Sequence, residues 1–414
     1  YGKRSGMIAI VHKKGYNTFM IDLAINGIVL RTKTEKLGEI GDIEALGKTL
    51  TEWTGAAIGA PYKTVEYSPV LDMCDKLRAA VDRAKPVTVV LFCDAPLVGG
   101  KTVAAAVKHL TDEKLGAYKL PRGFVFKTDF LFDNDRLFLQ AHDADKEFDT
   151  VTDAESLARV TDALKLRILR YHADNGVVIR DFNNTFIDCD VAIESRAVIE
   201  PYNFLKGKTV VKSGAHIMPG NYIENGIIGA NAKVDSSRLY SCVVGDGTTV
   251  GPFAYLRPDT VIGSGCRIGD FVELKSCIIG DGSKVSHLTY IGDVELGKDC
   301  NVGCGVVFAN YDGKNKFRSV VGDRVFIGSN ANIVAPVEIA DRAFIAAGST
   351  ITKAVPSQAL AIARARQTII PDWQGNAYAP PTFVSKRPST YNLVQYSDGI
   401  IDGKASKIKN DDKK

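Results

Sequence analysis

Residues 321–351 read VGDRVFIGSNANIVAPVEIADRAFIAAGSTI, which places Val321, Ile327, Ile333, Ile339, Ile345 and Ile351 at unbroken intervals of six. A helix repeats its apolar face about every 3.6 residues and a half-buried strand about every 2, so neither produces this spacing. A chain that turns a corner every six residues does. This is the hexapeptide signature of a parallel β-helix, a solenoid of very short strands. Upstream, Val244, Val250, Leu256, Ile262, Ile268 and Leu274 keep the same interval, as do Ile193, Ile199, Leu205, Val211, Ile217 and Ile223. The pattern extends from about residue 187 to 353. Gly245, Gly263, Gly269, Gly280, Gly292, Gly297, Gly322 and Gly328 fall where corners are needed.

A solenoid buries its regular face against neighbouring coils, so breaks in the period mark loops with other roles. Phe308 and Val321 are thirteen positions apart, which leaves seven residues outside the repeat. The insertion falls around Asn310-Tyr311-Asp312-Gly313-Lys314-Asn315-Lys316-Phe317-Arg318. It is polar, basic and turn-rich, and it is expected to protrude.

With 414 residues the chain can form two or three domains. Its formal charge of +4 is mild, which suits a small anionic ligand and does not suggest nucleic acid. Eight cysteines occur. None forms a CxxC pair, and Cys242, Cys266, Cys277 and Cys300 lie inside the repeat. They read as reduced core or corner residues of a cytoplasmic protein. No apolar stretch approaches the roughly eighteen residues of a membrane span. The run Met7-Ile8-Ala9-Ile10-Val11 is too short for a signal peptide, and the chain begins at Tyr1 rather than Met.

Residues 1–152 read as an α/β domain. Val87-Thr88-Val89-Val90-Leu91-Phe92 is expected to be a buried strand, ending in Cys93-Asp94-Ala95-Pro96-Leu97. Helical patterns cover 71–84 and 102–110, and a second strand is expected at 124–126. Residues 153–175, rich in Ala, Leu and Arg, predict a linker helix that Gly176 ends. The β-helix then fills 176–373, and the Pro-, Ser- and Lys-rich residues 374–414 are expected to be disordered.

Of six histidines, His287 stands out by its surroundings. It lies in Ser286-His287-Leu288-Thr289-Tyr290-Ile291-Gly292-Asp293, with Val272-Glu273-Leu274-Lys275 about one coil upstream. A histidine held by a carboxylate suits a general base at neutral pH. Arg257 precedes Lys275 by eighteen residues, which is three hexapeptides and one coil of a three-sided solenoid. The two cations should stack, and paired cations beside a base suit a phosphorylated substrate. A solvated ladder of surface charges would use the same residues.

These residues carry a resemblance. Gly251-Pro252-Phe253, Arg257-Pro258, Val272-Glu273-Leu274-Lys275, His287-Leu288-Thr289-Tyr290-Ile291-Gly292-Asp293, Asn310-Tyr311-Asp312-Gly313, Asn315-Lys316, Phe326-Ile327-Gly328-Ser329 and Ala346-Ala347-Gly348-Ser349-Thr350 are all part of it. Over about residues 165–373 the chain resembles the acetyltransferase domain of the bifunctional bacterial glucosamine-1-phosphate N-acetyltransferase/N-acetylglucosamine-1-phosphate uridyltransferases. Generic hexapeptide acyltransferases share the period but not these motifs at these spacings.

The resemblance implies a left-handed parallel β-helix, assembled as a homotrimer with active sites between subunits. It implies acetyl transfer from acetyl-CoA to the amine of the sugar phosphate glucosamine 1-phosphate. The product would supply UDP-N-acetylglucosamine and cell-wall (peptidoglycan) precursors. His287 matches the proton acceptor and Glu273 its orienting partner. Arg257, Lys275, Tyr290 and Asn301 match sugar-phosphate contacts, and Lys316 a basic residue near the phosphate. Cys304, Asn310, Tyr311, Ser329, Ala347 and Arg364 match acetyl-CoA contacts. Cys304 stands where the family often has Ala. Between Gly303 and Gly305, and near Val302 and Val306, it reads as a packing residue rather than a nucleophile.

The N-terminal half departs from the family. No Gly-rich loop of the Leu-Ala-Ala-Gly-x-Gly-Thr-Arg-Met type occurs, and Gly55-Ala56-Ala57-Ile58-Gly59-Ala60 lacks its basic residue. Cys93-Asp94-Ala95-Pro96-Leu97 is similar to the family's metal-binding turn, but Val151-Thr152-Asp153 replaces the partner Asn. The domain reads as a degenerate or remodelled nucleotidyltransferase, with Mg2+ required only if it is active and Asp94 the one remaining ligand. Two other readings are a chain that retains the uridyltransferase activity and a non-catalytic β-helix scaffold. Neither nucleic acid nor a membrane is an expected partner.

Overall fold

The computed structural model describes residues 23–67, 73–134, 146–371 and 373. The N-terminal part holds a five-stranded sheet. Ile25–Arg31 lies parallel between Tyr62–Glu66 and Val87–Phe92, and Gly123–Lys127 runs antiparallel on the far side of Val87–Phe92. All six residues of Val87–Phe92 are buried, because helices cover both faces. Val29, Val89 and Leu91 face one core with Trp53, Val103 and Val107. Ile28, Leu30, Val90 and Phe92 face a second core with Leu77 and Leu131. Strand side chains alternate in direction, so a fully apolar run fills two cores at once. The flanking helices are Met73–Ala80 and Gly100–Asp112, and residues 71 and 72 of the expected first helix lie outside the described residues.

The linker helix is Ala154–Asp174. Asp153 caps it, accepting from the Ser156 amide at 2.9 Å, while Ser156 Oγ accepts from the Asp153 amide at 2.9 Å. Beyond Asn175, Gly176 adopts φ 84°, a left-handed conformation that glycine takes without steric cost. Val160, Leu164, Ile168 and Leu169 form a buried stripe that joins one hydrophobic core with Val177, Ile187 and Ile199 of the first coils. No helix among the described residues is long and apolar enough to cross a membrane.

From Val178 to Ala361 the chain winds through short strands in three parallel sheets of eleven, ten and nine strands. The sheet beginning at Val178–Ile179 is called here the first face, that beginning at Phe186–Ile187 the second, and that beginning at Ala192–Ile193 the third. The aliphatics at intervals of six point inward. Ile327, Ile333, Ile339 and Ile345 are fully buried, as are Leu256, Ile268 and Leu274. Each such side chain contributes about 1.5–3 kcal/mol by leaving water, which is why the period is kept over so many coils. The coils are not uniform. The register Val210↔Ile227↔Val243 is one residue, then two residues, short of three hexads, and the corners absorb the loss. The insertion after Phe308 is absorbed likewise, since Glu295 still pairs with Val320 and Leu296 with Val321.

Candidate active site

Two corners of the solenoid border the second face, and together they hold most of the residues singled out above. At the corner between the first and second faces, Asp270 pairs in register with His287. The registers Lys284↔Asn301↔Phe326↔Phe344 and Val285↔Val302↔Ile327↔Ile345 continue that column through Cys304, Ser329 and Ala347. Backbone bonds tie its coils together: Leu288 N to Asp270 O at 3.0 Å, Asn330 N to Cys304 O at 2.8 Å, and Gly348 N to Ser329 O at 2.9 Å. Arg364 Cδ lies 3.9 Å from where a Cβ on Gly348 would stand, so its side chain reaches the same edge. His287, Cys304, Ser329, Ala347 and Arg364 thus share one edge, although positions 287 and 364 are 77 apart in sequence.

Gly269, Gly303 and Gly328 let this edge form. A Cβ on Gly269 would stand 1.9 Å from the Ser286 carbonyl oxygen, and one on Gly328 would stand 2.5 Å from the Ala347 amide. Any side chain there would separate the coils.

The corner between the second and third faces carries the cations. Arg257 N donates to Leu274 O at 2.9 Å and Leu256 pairs with Leu274, which sets Arg257 beside Lys275 on the next coil, as the eighteen-residue spacing predicts. Lys275 Nζ lies 3.3 Å from Asp293 Oδ2, and Asn310 Nδ2 donates to the same oxygen at 2.6 Å. The inserted loop folds back on itself through a Tyr311–Lys316 bridge and a Phe317 N to Asn310 O bond of 2.8 Å. This returns Lys316 to Lys275. The positive charge of nearby Lys275 holds the Lys316 ammonium below the ordinary lysine value, with Arg257 adding to the effect.

Between the corners, Tyr255, Glu273, Tyr290 and Val307 form an outward ladder on the second face. Glu273 Oε1 accepts from Arg257 Nη1 at 2.9 Å, and this bond raises the Arg257 pKa above the ordinary value.

Here the structure corrects one expectation. Glu273 does not hold His287; Asp270 does, with Oδ1 2.5 Å from Nδ1. The coil between them is seventeen residues long, so His287 is registered with Asp270 at the corner, whereas Glu273 is registered with Tyr290 on the face. Two further placements differ from simple convergence. Asn301 lies on the first face between Lys284 and Phe326, around the corner from Tyr290 and Lys275. Asn310 is buried and committed to Asp293, while Tyr311 is exposed and donates to Gly313 O at 2.6 Å. Asp270 and Asp293 had no assigned role, although Asp293 stood within a quoted motif. A register of seventeen rather than eighteen is the signal that finds Asp270.

The N-terminal turn is closed. Both oxygens of Asp94 are taken by Arg122, from Nε at 2.9 Å and Nη2 at 2.5 Å, and Thr32 Oγ1 approaches at 3.3 Å. Arg122 also lies over the Phe92 ring at 4.1 Å. A Mg2+ ion would have to displace this guanidinium. No group of three or more His, Cys, Asp or Glu able to hold a metal occurs among the described residues. The turn therefore does not fit a metal site. All eight cysteines are free thiols.

Two family profiles match stretches of the solenoid. Residues 238–333 match the family profile described as the GMPPB C-terminal domain, and residues 318–353 match the bacterial transferase hexapeptide (six repeats). The bifunctional protein GlmU of Clostridium acetobutylicum is 52% identical over 217 residues, covering 52% of this chain and 48% of that protein. GlmU of Clostridium tetani is 54% identical over 217 residues, with the same 52% and 48% coverage. The C-terminal half of the chain resembles GlmU. The chain spans about half the length of the curated relatives it matches. Among solved structures, a Francisella novicida UDP-N-acetylglucosamine acyltransferase aligns with a TM-score of 0.34 at 17% identity, covering 45% of this chain and 67% of that one.

Proposed function

We propose that this chain transfers an acetyl group from acetyl-CoA to the amine of glucosamine 1-phosphate. The observation that carries the reading is the gathering of three cations at one corner: Arg257 and Lys275 stand on adjacent coils, and the folded-back loop brings Lys316 close enough for their charge to hold its ammonium below the ordinary value. Two ammonium groups side by side repel each other, and a phosphate dianion between them converts repulsion into charge-assisted hydrogen bonds. The likeness to GlmU and the hexapeptide match support acyl transfer as the reaction class.

The sugar lies across the second face, its phosphate at the cation corner and its amine toward His287. Acetyl-CoA runs down the edge of Cys304, Ser329, Ala347 and Arg364. The neutral amine attacks the thioester carbonyl, so a C–N bond forms and the C–S bond breaks. His287 Nε2 accepts the proton lost by the amine and returns it to the departing CoA sulfur. Tyr290 and Glu273 flank the sugar, and Glu273 orients Arg257 rather than the base. The product is N-acetylglucosamine 1-phosphate, a precursor of UDP-N-acetylglucosamine.

A homotrimer accounts for an otherwise unfavourable edge. Phe253, Phe271 and Leu288 project from successive corners, each more than half exposed, with φ of 61°, 55° and 48°. The φ values are those of the tight corners, and a row of large apolar side chains left in water is a patch that a partner surface would cover. A second copy of the chain packed on this edge would also bring its own residues to His287.

An acetyl-transfer assay that follows free CoA tests the reading. Glucosamine 1-phosphate should release CoA at a rate set by enzyme concentration, and unphosphorylated glucosamine should not. Equal rates with both would remove the phosphate assignment, and no release with either would remove the function.

A further inference from the structure

We propose that Asp270 is a positioning residue for the acetyl transfer: its carboxylate takes the Nδ1 proton of His287 and so leaves Nε2 as the nitrogen that accepts a proton. This rests on the function proposed above, in which His287 is the base.

The contact is built by the backbone. Asp270 and His287 are registered partners on adjacent coils, and Leu288 N donates to Asp270 O at 3.0 Å. Gly269, with no room for a Cβ against the Ser286 carbonyl, holds the two corners closer than any other residue would. The resulting contact sets Asp270 Oδ1 against His287 Nδ1 at 2.5 Å, within direct hydrogen-bond reach. Two nearby carboxylates of the same part of the solenoid are committed elsewhere. Glu273 is 2.9 Å from Arg257, and Asp293 holds Lys275 and Asn310.

Protonation states are consistent with this role. The bond to His287, aided by the Asp270 backbone amide and Arg267, keeps the Asp270 carboxyl below its ordinary range. Asp270 is therefore a carboxylate at any pH where an amine can be neutral, and it can only accept. A neutral imidazole has one N–H and one lone pair, and whichever nitrogen donates leaves the other to accept. With Nδ1–H given to Asp270, the lone pair is at Nε2. Without Asp270, the Nε2–H form competes, and an imidazole in that form cannot take the amine proton through Nε2. Once Nε2 is protonated, the imidazolium sits against a carboxylate, which stabilises the charge that develops in the transition state.

The competing account is a solvated ion pair with no part in turnover, since His287 is 49% and Asp270 35% exposed. Two measurements on the full chain separate the accounts. In steady-state kinetics, Asp270→Ala and the isosteric Asp270→Asn should each lower kcat about 10²-fold, with KM for both substrates within a few-fold of wild type. Asn is expected to fail because its amide can donate to Nδ1 and select the wrong tautomer. In ¹⁵N NMR of histidine-labelled protein at neutral pH, His287 should be Nδ1-protonated in the wild type and mainly Nε2-protonated in both variants. Glu273→Ala should leave the tautomer unchanged and raise KM for the sugar phosphate. A kcat within threefold of wild type in Asp270→Asn, or an unchanged tautomer, overturns the proposal. The NMR measurement needs no turnover. An inactive wild type with Nδ1-protonated His287 would therefore remove the function and leave the Asp270–His287 pairing in place.

Discussion

The second face of the solenoid and the Cys93–Leu97 turn of the N-terminal sheet both present acidic and basic groups at the edge of a buried sheet, but they balance charge differently. At the turn, Asp94 is met on both oxygens by one guanidinium, which also stacks on Phe92. On the solenoid, Arg257, Lys275 and Lys316 gather around Glu273 and Asp293, close enough that the charge of Lys275 lowers the Lys316 pKa. A matched pair has nothing left to offer a ligand, whereas an excess of cations is stabilised when an anion arrives. The contrast separates a closed structural pair from an open binding site more sharply than residue identity does.

The contrast can be tested, beginning with its scaffold. Ile333 is fully buried in the solenoid bore. Ile333→Asp would bury an unpaired carboxylate and should cost about 4 kcal/mol or more, measured by urea denaturation. A variant as stable as wild type would mean that the inward aliphatics do not hold the coils together.

The next largest effect should come from the base. His287→Ala is expected to lower kcat by about 10²–10⁴ with little change in substrate affinity. Activity within a few-fold of wild type would show that the second face is a charged surface without chemistry.

The join between the two regions should show in stability against pH. Burial pushes His172, on the linker helix, down to about 4. The unfolded chain takes up that proton near pH 6.5, while the folded chain stays neutral until about 4. Stability should therefore be full above pH 6.5 and fall as pH drops toward 4, by up to about 3 kcal/mol. Denaturant melts of wild type and His172→Gln across this window should converge at low pH. Parallel curves would remove His172 from the transition.

The cations should have a smaller effect that is selective for one substrate. Arg257→Ala or Lys316→Ala is expected to weaken glucosamine 1-phosphate binding about 10–100-fold and leave acetyl-CoA binding nearly unchanged by isothermal titration. Equal losses for both substrates would place these cations outside the phosphate site. At the closed turn the expected effect on chemistry is none. Asp94→Ala should not change acetyl transfer, and neither form should release pyrophosphate from UTP and N-acetylglucosamine 1-phosphate with Mg2+. Pyrophosphate release that Asp94→Ala abolishes would mean that Arg122 yields its place to a metal.

Much of the candidate site was legible because a solenoid converts sequence separation into distance. Eighteen residues between Arg257 and Lys275 put one above the other, and the seven extra residues after Phe308 form a loop whose Lys316 returns to the same corner. That conversion fails where a coil drops a residue. Glu273 stands fourteen positions before His287 and is paired with it by rough coil spacing and by the family resemblance, while the true neighbour, Asp270, stands seventeen before. Asn301, matched to the sugar contacts, lies on a different face. The pairing of Asp94 with Arg122, twenty-eight residues away on the far side of a helix, had no periodic signal at all.

The chain's sequence by itself determined the solenoid, because burying an aliphatic side chain at every sixth position rewards one backbone path over all others. It determined likewise the two-sided burial of Val87–Phe92 and the start of the linker helix at Asp153, since both follow from local pattern and capping chemistry. Only the tertiary structure decided which carboxylate meets His287, which cations are left in excess, and that Asp94 is already occupied. Those outcomes depend on register to within one residue and on contacts between distant segments, and a single residue lost at a corner changes them without disturbing the pattern of buried side chains.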